Sequence, residues 1–221
     1  MSHTKPVSCV LSLQDAQKAK ILNEVCRLHP SQEKVLFEMG AFARACIKTG
    51  QSAGMVINAP PRSGTTRLAK TFQAMTRLGL IADQTPMVST YLSVAKVSTS
   101  EDLLDRGLGQ YGVTTDGKMV SEKYNAYVQQ LQSHYTDLII FDHIDKVLSY
   151  PGKPYWLFDA MEQIVRKADL SAIFIVNDWF EHLQVASMFL HRFIRQWHLI
   201  RPYHWSIPSC SKEPKEQRVR S

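Results

Sequence analysis

Gly54-Met55-Val56-Ile57-Asn58-Ala59-Pro60-Pro61-Arg62-Ser63-Gly64-Thr65-Thr66-Arg67 is the stretch on which the fold turns. An apolar run, a Gly/Pro turn and two threonines in succession read as a buried strand, a tight loop and the start of a helix. Such a loop aims backbone N–H groups and a helix N-terminus at one point, which is how proteins hold phosphate. The standard phosphate loop is G-x-x-x-x-G-K-[ST]. In this chain Ala59 stands at the first Gly and Thr65 at the Lys, leaving Gly64 and Thr66 in register. The cradle is kept and its mobile positive charge is lost.

Three readings fit the loop taken alone. Pro61-Arg62-Ser63-Gly64-Thr65-Thr66 resembles the loop with which sulfotransferases hold the 5′-phosphosulfate of their donor nucleotide. It equally resembles a worn-down ATPase loop, and a strand–turn–helix with no ligand has the same pattern. The rest of the chain has to decide among them.

Moving outward, apolar segments alternate between strand and helix character. Ser12-Leu13-Gln14-Asp15 opens a helix to Leu28, which His29-Pro30 breaks. Ser31 is expected to cap a second helix with Val35, Met39, Phe42 and Cys46 inward. Beyond the loop, Leu68, Phe72 and Met75 mark one helix face, and Met87 to Leu92 reads as a strand. Ser100 is the expected cap of a short helix, Gly107 to Lys118 reads as loop, and Ser121 starts another helix. Asp137-Leu138-Ile139-Ile140-Phe141-Asp142 reads as a buried strand ending in a carboxylate. A helix over 154–168, a strand Ala172 to Val176, a helix from Trp179 and a last strand His198 to Tyr203 complete the series. Alternation of this kind predicts a parallel sheet covered on both faces.

Composition bounds the rest. With 221 residues and 44% hydrophobic content, the chain has room for one α/β domain with a full core. No apolar run approaches the roughly 18 residues of a membrane span, so no membrane partner is expected. Cys9, Cys26, Cys46 and Cys210 are scattered without a C-x-x-C pair, which suits a reduced, cytoplasmic protein lacking a zinc site. His182, His191, His198 and His204 fit neither one helix face nor a zinc spacing. Lys plus Arg number 26 against 20 Asp plus Glu, a net of +6 that leans slightly toward nucleic acid.

Ligands of parallel α/β sheets sit at the C-terminal strand ends, and three of these ends carry polar residues: 59–66, Asp142-His143 and Asn177-Asp178. An apolar strand ending in Asp is what an ATPase needs to hold Mg²⁺ through water, beside the loop hydroxyl. At this point the chain resembles the AAA+ transposition regulators of the TniB/TnsC type, over roughly residues 28–205. The resemblance rests on His29-Pro30 before an amphipathic helix and on the loop at 59–66. It rests equally on Leu138 to Leu148, which is similar to the L-I-I-D-E-A-D-R-L of that family with one added residue. Phe174-Ile175-Val176-Asn177-Asp178 looks like the sensor strand, and Phe189-Leu190-His191-Arg192-Phe193 like the segment whose Arg reaches a neighbouring subunit's nucleotide.

The resemblance implies an α/β P-loop NTPase fold of AAA+ type, a three-layer parallel sheet with short N-terminal helices. With the residue pattern on either side, it divides the chain into an N-terminal helical segment at 1–30, the AAA+-like domain at 31–206 and an expected flexible basic tail at 207–221. Pro61, Arg62, Ser63, Gly64, Thr65, Thr66, Arg67, Asn177 and Asp178 are then the nucleotide-binding candidates, with Thr66 and Asp142 at Mg²⁺. Asp142 and His143 hold the positions of the metal-binding carboxylate and the catalytic glutamate, and Arg192 that of a trans-acting finger. ATP and Mg²⁺ are the implied cofactors, weakened by the missing lysine, and hydrolysis is expected to be weak or absent. Lys96, Ser98, Thr99 and Lys118 occupy the places of DNA-facing loops. The implied partners are double-stranded DNA, further copies of the chain in a ring or helix, a transposase and a target-selection protein. The competing sulfotransferase reading needs a second phosphate site, for which Asn177-Asp178-Trp179 with Ser187 is the best candidate, and it leaves Asp142 without a task.

Overall fold

The computed structural model describes residues 20, 21, 23, 28, 30–50, 52–59, 62–80, 87–148, 155–176 and 197–200. The chain enters through helix α1 (Pro30–Thr49), with proline in its first turn, Glu33 near its N-terminus and Lys48 near its C-terminus, as the helix dipole favours. Val35, Leu36, Met39, Phe42 and Ala43 form its buried stripe. Strand β1 (Gly54–Asn58), every residue of it buried, leads into the loop and helix α2 (Thr65–Arg77). Strand β2 (Val88–Ser93), helices α3 (Ser100–Gly109) and α4 (Val120–Ser133), and strand β3 (Thr136–Asp142) follow. The short helix α5 (Ile144–Leu148), helix α6 (Tyr155–Ala168), strand β4 (Ser171–Val176) and strand β5 (Trp197–Ile200) complete the described chain.

The five strands form one sheet in the order β2-β3-β4-β1-β5, and every pairing is parallel. Because parallel strands need crossover helices, the sheet is covered and its central strands read as unbroken apolar runs. Ile139, Ile140, Phe141, Ile173, Phe174 and Ile175 are all fully buried, and the Phe141 and Phe174 rings stack at 5.4 Å. Helix α6 buries Leu157, Phe158, Met161, Ile164, Val165 and Ala168, a helical repeat laid on the sheet. Among the described residues no helix is long and apolar enough to cross a membrane.

Several boundaries differ from the sequence expectation. Thr99, not Ser100, caps α3: its hydroxyl accepts from the Asp102 N–H at 3.0 Å while Asp102 accepts from the Thr99 N–H at 3.0 Å. Two adjacent hydroxyl residues compete for the cap, and the carboxylate three positions beyond Thr99 decides. Helix α3 continues to Gly109, so Gly107, Leu108 and Gly109, expected in a loop, are helical. Helix α4 starts at Val120, one residue before the expected Ser121, with Glu122 accepting from the Met119 N–H at 2.8 Å. Helix α1 begins at Pro30, which places Ser31 inside the first turn and not at the cap. Strand β5 begins at Trp197, and the remainder of the expected strand to Tyr203 lies outside the described residues. Most of the expected N-terminal helix, the helix from Trp179 and the tail at 207–221 lie there as well.

Candidate functional site

Strand β1 delivers the chain to the C-terminal edge of the sheet, where Ala59 N–H bonds the Val176 carbonyl at 3.0 Å and ties the loop's entry to the end of β4. The loop then reverses through Arg62, at φ 66°, and Gly64, at φ 81°. Left-handed φ at a non-glycine residue costs energy and is held only where the surroundings insist on it. Gly64 is required twice over. It sits in the left-handed region, and a Cβ there would stand 2.9 Å from Gln32 Nε2. That amide comes from the first turn of α1 and donates to the Ser63 carbonyl at 2.8 Å. Helix α1 therefore braces the loop, a contact that sequence reasoning missed and that no local pattern signals.

The loop surrounds a helix N-terminus left open to an anion. Gly64 gives α2 no side-chain cap, and the first turn carries no acidic residue. Arg62 and Arg67 are exposed beside it. Ser63 Oγ and Asn58 Nδ2 are buried without a hydrogen-bond partner among the described residues, and such orphans call for an explanation. Thr65, where a phosphate loop has lysine, is buried. These features fit a bound phosphate group. Pro61, Asn177 and Asp178 lie outside the described residues, as does Arg192.

Across the edge, the second half of the site gathers on Asp142, the last residue of β3, with no exposed surface at all. Its Oδ2 accepts from the Thr66 hydroxyl at 2.7 Å and from the Tyr91 hydroxyl at 2.7 Å. Its Oδ1 accepts from the His143 N–H at 2.8 Å. The His143 ring closes the group, with Nδ1 at 3.3 Å from Asp142 Oδ2 and 3.2 Å from Ser93 Oγ. Register explains the meeting: Ser93 pairs with Asp142 between β2 and β3, and Tyr91 lies two residues earlier on the same face of β2. Helix α2 is fixed over β2 by Gln73 Nε2 to the Ser89 carbonyl at 3.0 Å and by a Thr76–Ser89 hydroxyl pair at 2.6 Å. The Lys70 ammonium lies 5.7 Å from the Tyr91 ring centre. Burial, and then the Asp142 carboxylate, push the Tyr91 hydroxyl well above the usual tyrosine range, so it remains a donor.

Thr66 and Asp142 are thus brought together, as the sequence expects. Whether they suit Mg²⁺ is a separate question. A carboxylate that holds the ion through water must accept from metal-bound water, yet Asp142 Oδ2 already accepts from the Thr66 and Tyr91 hydroxyls and Oδ1 from the His143 N–H. As arranged, three of the carboxylate's roughly four acceptor positions are filled, so the donor set fits the ion's water shell poorly. His143, at φ 67°, stands where a hydrolysing enzyme has glutamate, and its ring nitrogen is engaged by its own neighbours.

The DNA-facing candidates separate into two kinds. Ser98 donates through both its N–H and its hydroxyl to Asp102, and Thr99 caps the helix, so both side chains are spent on the start of α3. Hydrogen bonds from Ser98 first, and from Thr99, hold the Asp102 carboxyl below the usual range. Lys96 is exposed in the turn between β2 and α3, and Lys118 half-exposed just before α4.

No protein-family model and no curated protein matches the chain. Solved structures do. The chain is similar to the Aeropyrum pernix ORC1 protein, solved in complex with DNA, with a TM-score of 0.58 and 20% identity over 81% of this chain and 47% of that one. It is similar to the Aeropyrum pernix ORC2 protein, solved as ADPNP-ADP complexes, with a TM-score of 0.54 and 14% identity over 80% of this chain and 49% of that one. The chain therefore spans about half the length of these two proteins. At such identities the likeness speaks for architecture alone, and with the parallel sheet it makes the fold an α/β P-loop NTPase fold of AAA+ type.

Proposed function

We propose that this chain is a DNA-transposition regulator of the TniB/TnsC type. In this reading it assembles with further copies of itself on double-stranded DNA and links target selection to a transposase. Nucleotide at the loop serves as glue for assembly and little as fuel. The observation that carries the reading is the 2.7 Å bond between Thr66, at the open N-terminus of α2, and Asp142, at the end of β3. It sets Asp142 beside the loop, where an ATPase-like site uses it and the sulfotransferase reading has no task for it. Losing a charge-assisted bond of about 1.5–3 kcal/mol with the missing lysine weakens nucleotide binding without abolishing it, and Arg62 and Arg67 stand beside the loop as substitutes.

DNA contact in this reading is made to phosphates, through Lys96 and Lys118 and without sequence preference. Duplex affinity should fall steeply with salt, each neutralised phosphate contributing a slope of about −0.9 on a log–log plot. Lys96→Ala or Lys118→Ala should weaken all sequences alike. Arg192→Ala should leave the monomer folded and reduce assembly on DNA, scored by sedimentation and electron microscopy. Absence of duplex binding at low salt, with and without nucleotide, would remove the proposal.

A further inference from the structure

We propose that Tyr91 takes the metal's place at Asp142, so that the loop holds nucleotide phosphate without a divalent cation. The inference rests on the nucleotide-binding part of the reading above and concerns how that site is closed. A carboxylate offers about four lone-pair positions on two oxygens. On Asp142 the oxygen facing the loop, Oδ2, already has two hydroxyl protons directed at it from Thr66 and Tyr91, and the other receives the His143 N–H. The first two arrive where a cation would bind, and they bring the positive ends of two dipoles with them.

The two hydroxyls differ in how readily they could yield. Thr66 Oγ1 turns about a single bond and can swing to another ligand. The Tyr91 hydroxyl lies at the end of a planar ring carried by β2, with the Lys70 ammonium 5.7 Å from its centre, and moving it means moving the ring. Lys70, one helical turn after Thr66, is the cation that lies near this ring. Tyr91 is thus a positioning residue. It satisfies a buried charge by hydrogen bonding, where an active ATPase would use its ion, and it couples β2 to the loop.

The test uses Mn²⁺ and a fluorescent ATP analogue on the intact protein and on Tyr91→Phe, which removes the hydroxyl and keeps the ring. For the unaltered protein, analogue affinity should change less than about twofold between Mg²⁺ and chelator, and electron paramagnetic resonance should show Mn²⁺ remaining free. Tyr91→Phe should take up Mn²⁺, lose that uptake when Asp142→Asn is added, and bind the analogue at least about fivefold more tightly with Mg²⁺ than with chelator. Stoichiometric Mn²⁺ uptake by the unaltered protein, abolished by Asp142→Asn, overturns the assignment of Tyr91 whatever nucleotide does. So does a tenfold loss of analogue affinity in chelator. If the analogue binds in neither buffer, the nucleotide reading itself fails, while the Mn²⁺ comparison still decides the role of Tyr91. Should Tyr91→Phe not fold, the two measurements on the unaltered protein decide alone.

Discussion

Gln32 Nε2 lies 2.8 Å from the Ser63 carbonyl and 2.9 Å from the point where a Cβ on Gly64 would stand, so one amide both braces the loop and limits what the next residue can be. Gln32→Ala removes one partly buried hydrogen bond and should cost about 1 kcal/mol. Gly64→Ala should cost more, because alanine at φ 81° pays about 1–2 kcal/mol for the left-handed conformation and also meets the amide. The amide is the far end of a flexible side chain. In the double variant the steric part should vanish and the conformational part remain, giving a coupling of about 0.5 kcal/mol or more. A urea-denaturation cycle measures it, and strict additivity would show that Gln32 and Gly64 do not meet.

A second contact constrains the helical layer. A Cβ on Gly107 of α3 would stand 2.5 and 2.6 Å from two ring carbons of Tyr127, which α4 buries completely. Ordinary carbon contacts are roughly 3.5–4.0 Å, so the ring or the helix must move. Gly107→Ala improves helix propensity by up to about 1 kcal/mol, but overpacking of this kind costs about 1–3 kcal/mol. The clash should win, with a lower denaturation midpoint. Adding Tyr127→Leu should recover part of the loss, whereas adding Tyr127→Phe should not, since the ring carbons remain.

These two contacts show where sequence reading stops. Strands β1, β3 and β4 were legible because strands buried on both faces are apolar throughout, and the 3.6-residue repeat marked α2 and α6. The loop and Asp142 were legible because glycine, proline and a charge ending an apolar run each break a pattern. Tyr91 was not, because a tyrosine in a strand is ordinary. Its partner is 51 positions away, and the two meet only through the register between β2 and β3. Gln32 meets Ser63 across 31 positions for a similar reason. Gly107 was misread as loop because its local signature is that of a breaker, while its reason for being glycine is a ring on another helix.

Alkaline pH should destabilise the fold more than mild acid. Burial pushes the Tyr124 hydroxyl up to about 12 and raises Tyr91 and Tyr127 further. Hydrogen bonds from Glu101, then from Asp105, raise Lys123. In each case the folded value exceeds the unfolded one, so the unfolded state sheds its proton first. The contribution is complete below the unfolded value and is lost as pH rises through the folded one. Melting temperature should therefore hold to about pH 10, the ordinary tyrosine value, and fall beyond it. Tyr127→Phe should make that fall shallower at little cost near neutrality, since the Tyr127 hydroxyl is buried without a partner among the described residues. A flat profile above pH 10 would contradict the assigned burial. Asp102 acts with the opposite sign, its lowered value giving stability that is lost only as pH drops below the carboxylate range.

Steady-state phosphate release should be negligible, with or without duplex DNA. Thr65 supplies no charge to the transferred phosphoryl group, and His143 supplies no carboxylate to orient water, its Nδ1 lying instead against Ser93 and Asp142. Such groups act by stabilising charge in the transition state, where one preorganised contact is worth about 3–4 kcal/mol, so losing both leaves little to catalyse with. Thr65→Lys with His143→Glu restores both groups in kind. Glutamate at φ 67° must also bear the left-handed strain, of about 1–2 kcal/mol. If Tyr91 keeps the metal away, that pair should still turn over poorly in Mg²⁺ until Tyr91→Phe is added, and the triple variant should lose its activity with Asp142→Ala. Turnover by the unaltered protein at the level of an intact ATPase, abolished by Asp142→Ala, would show that Thr65 and His143 do not disable the site. Equal activity in the double and triple variants would show that Tyr91 is no barrier to the ion.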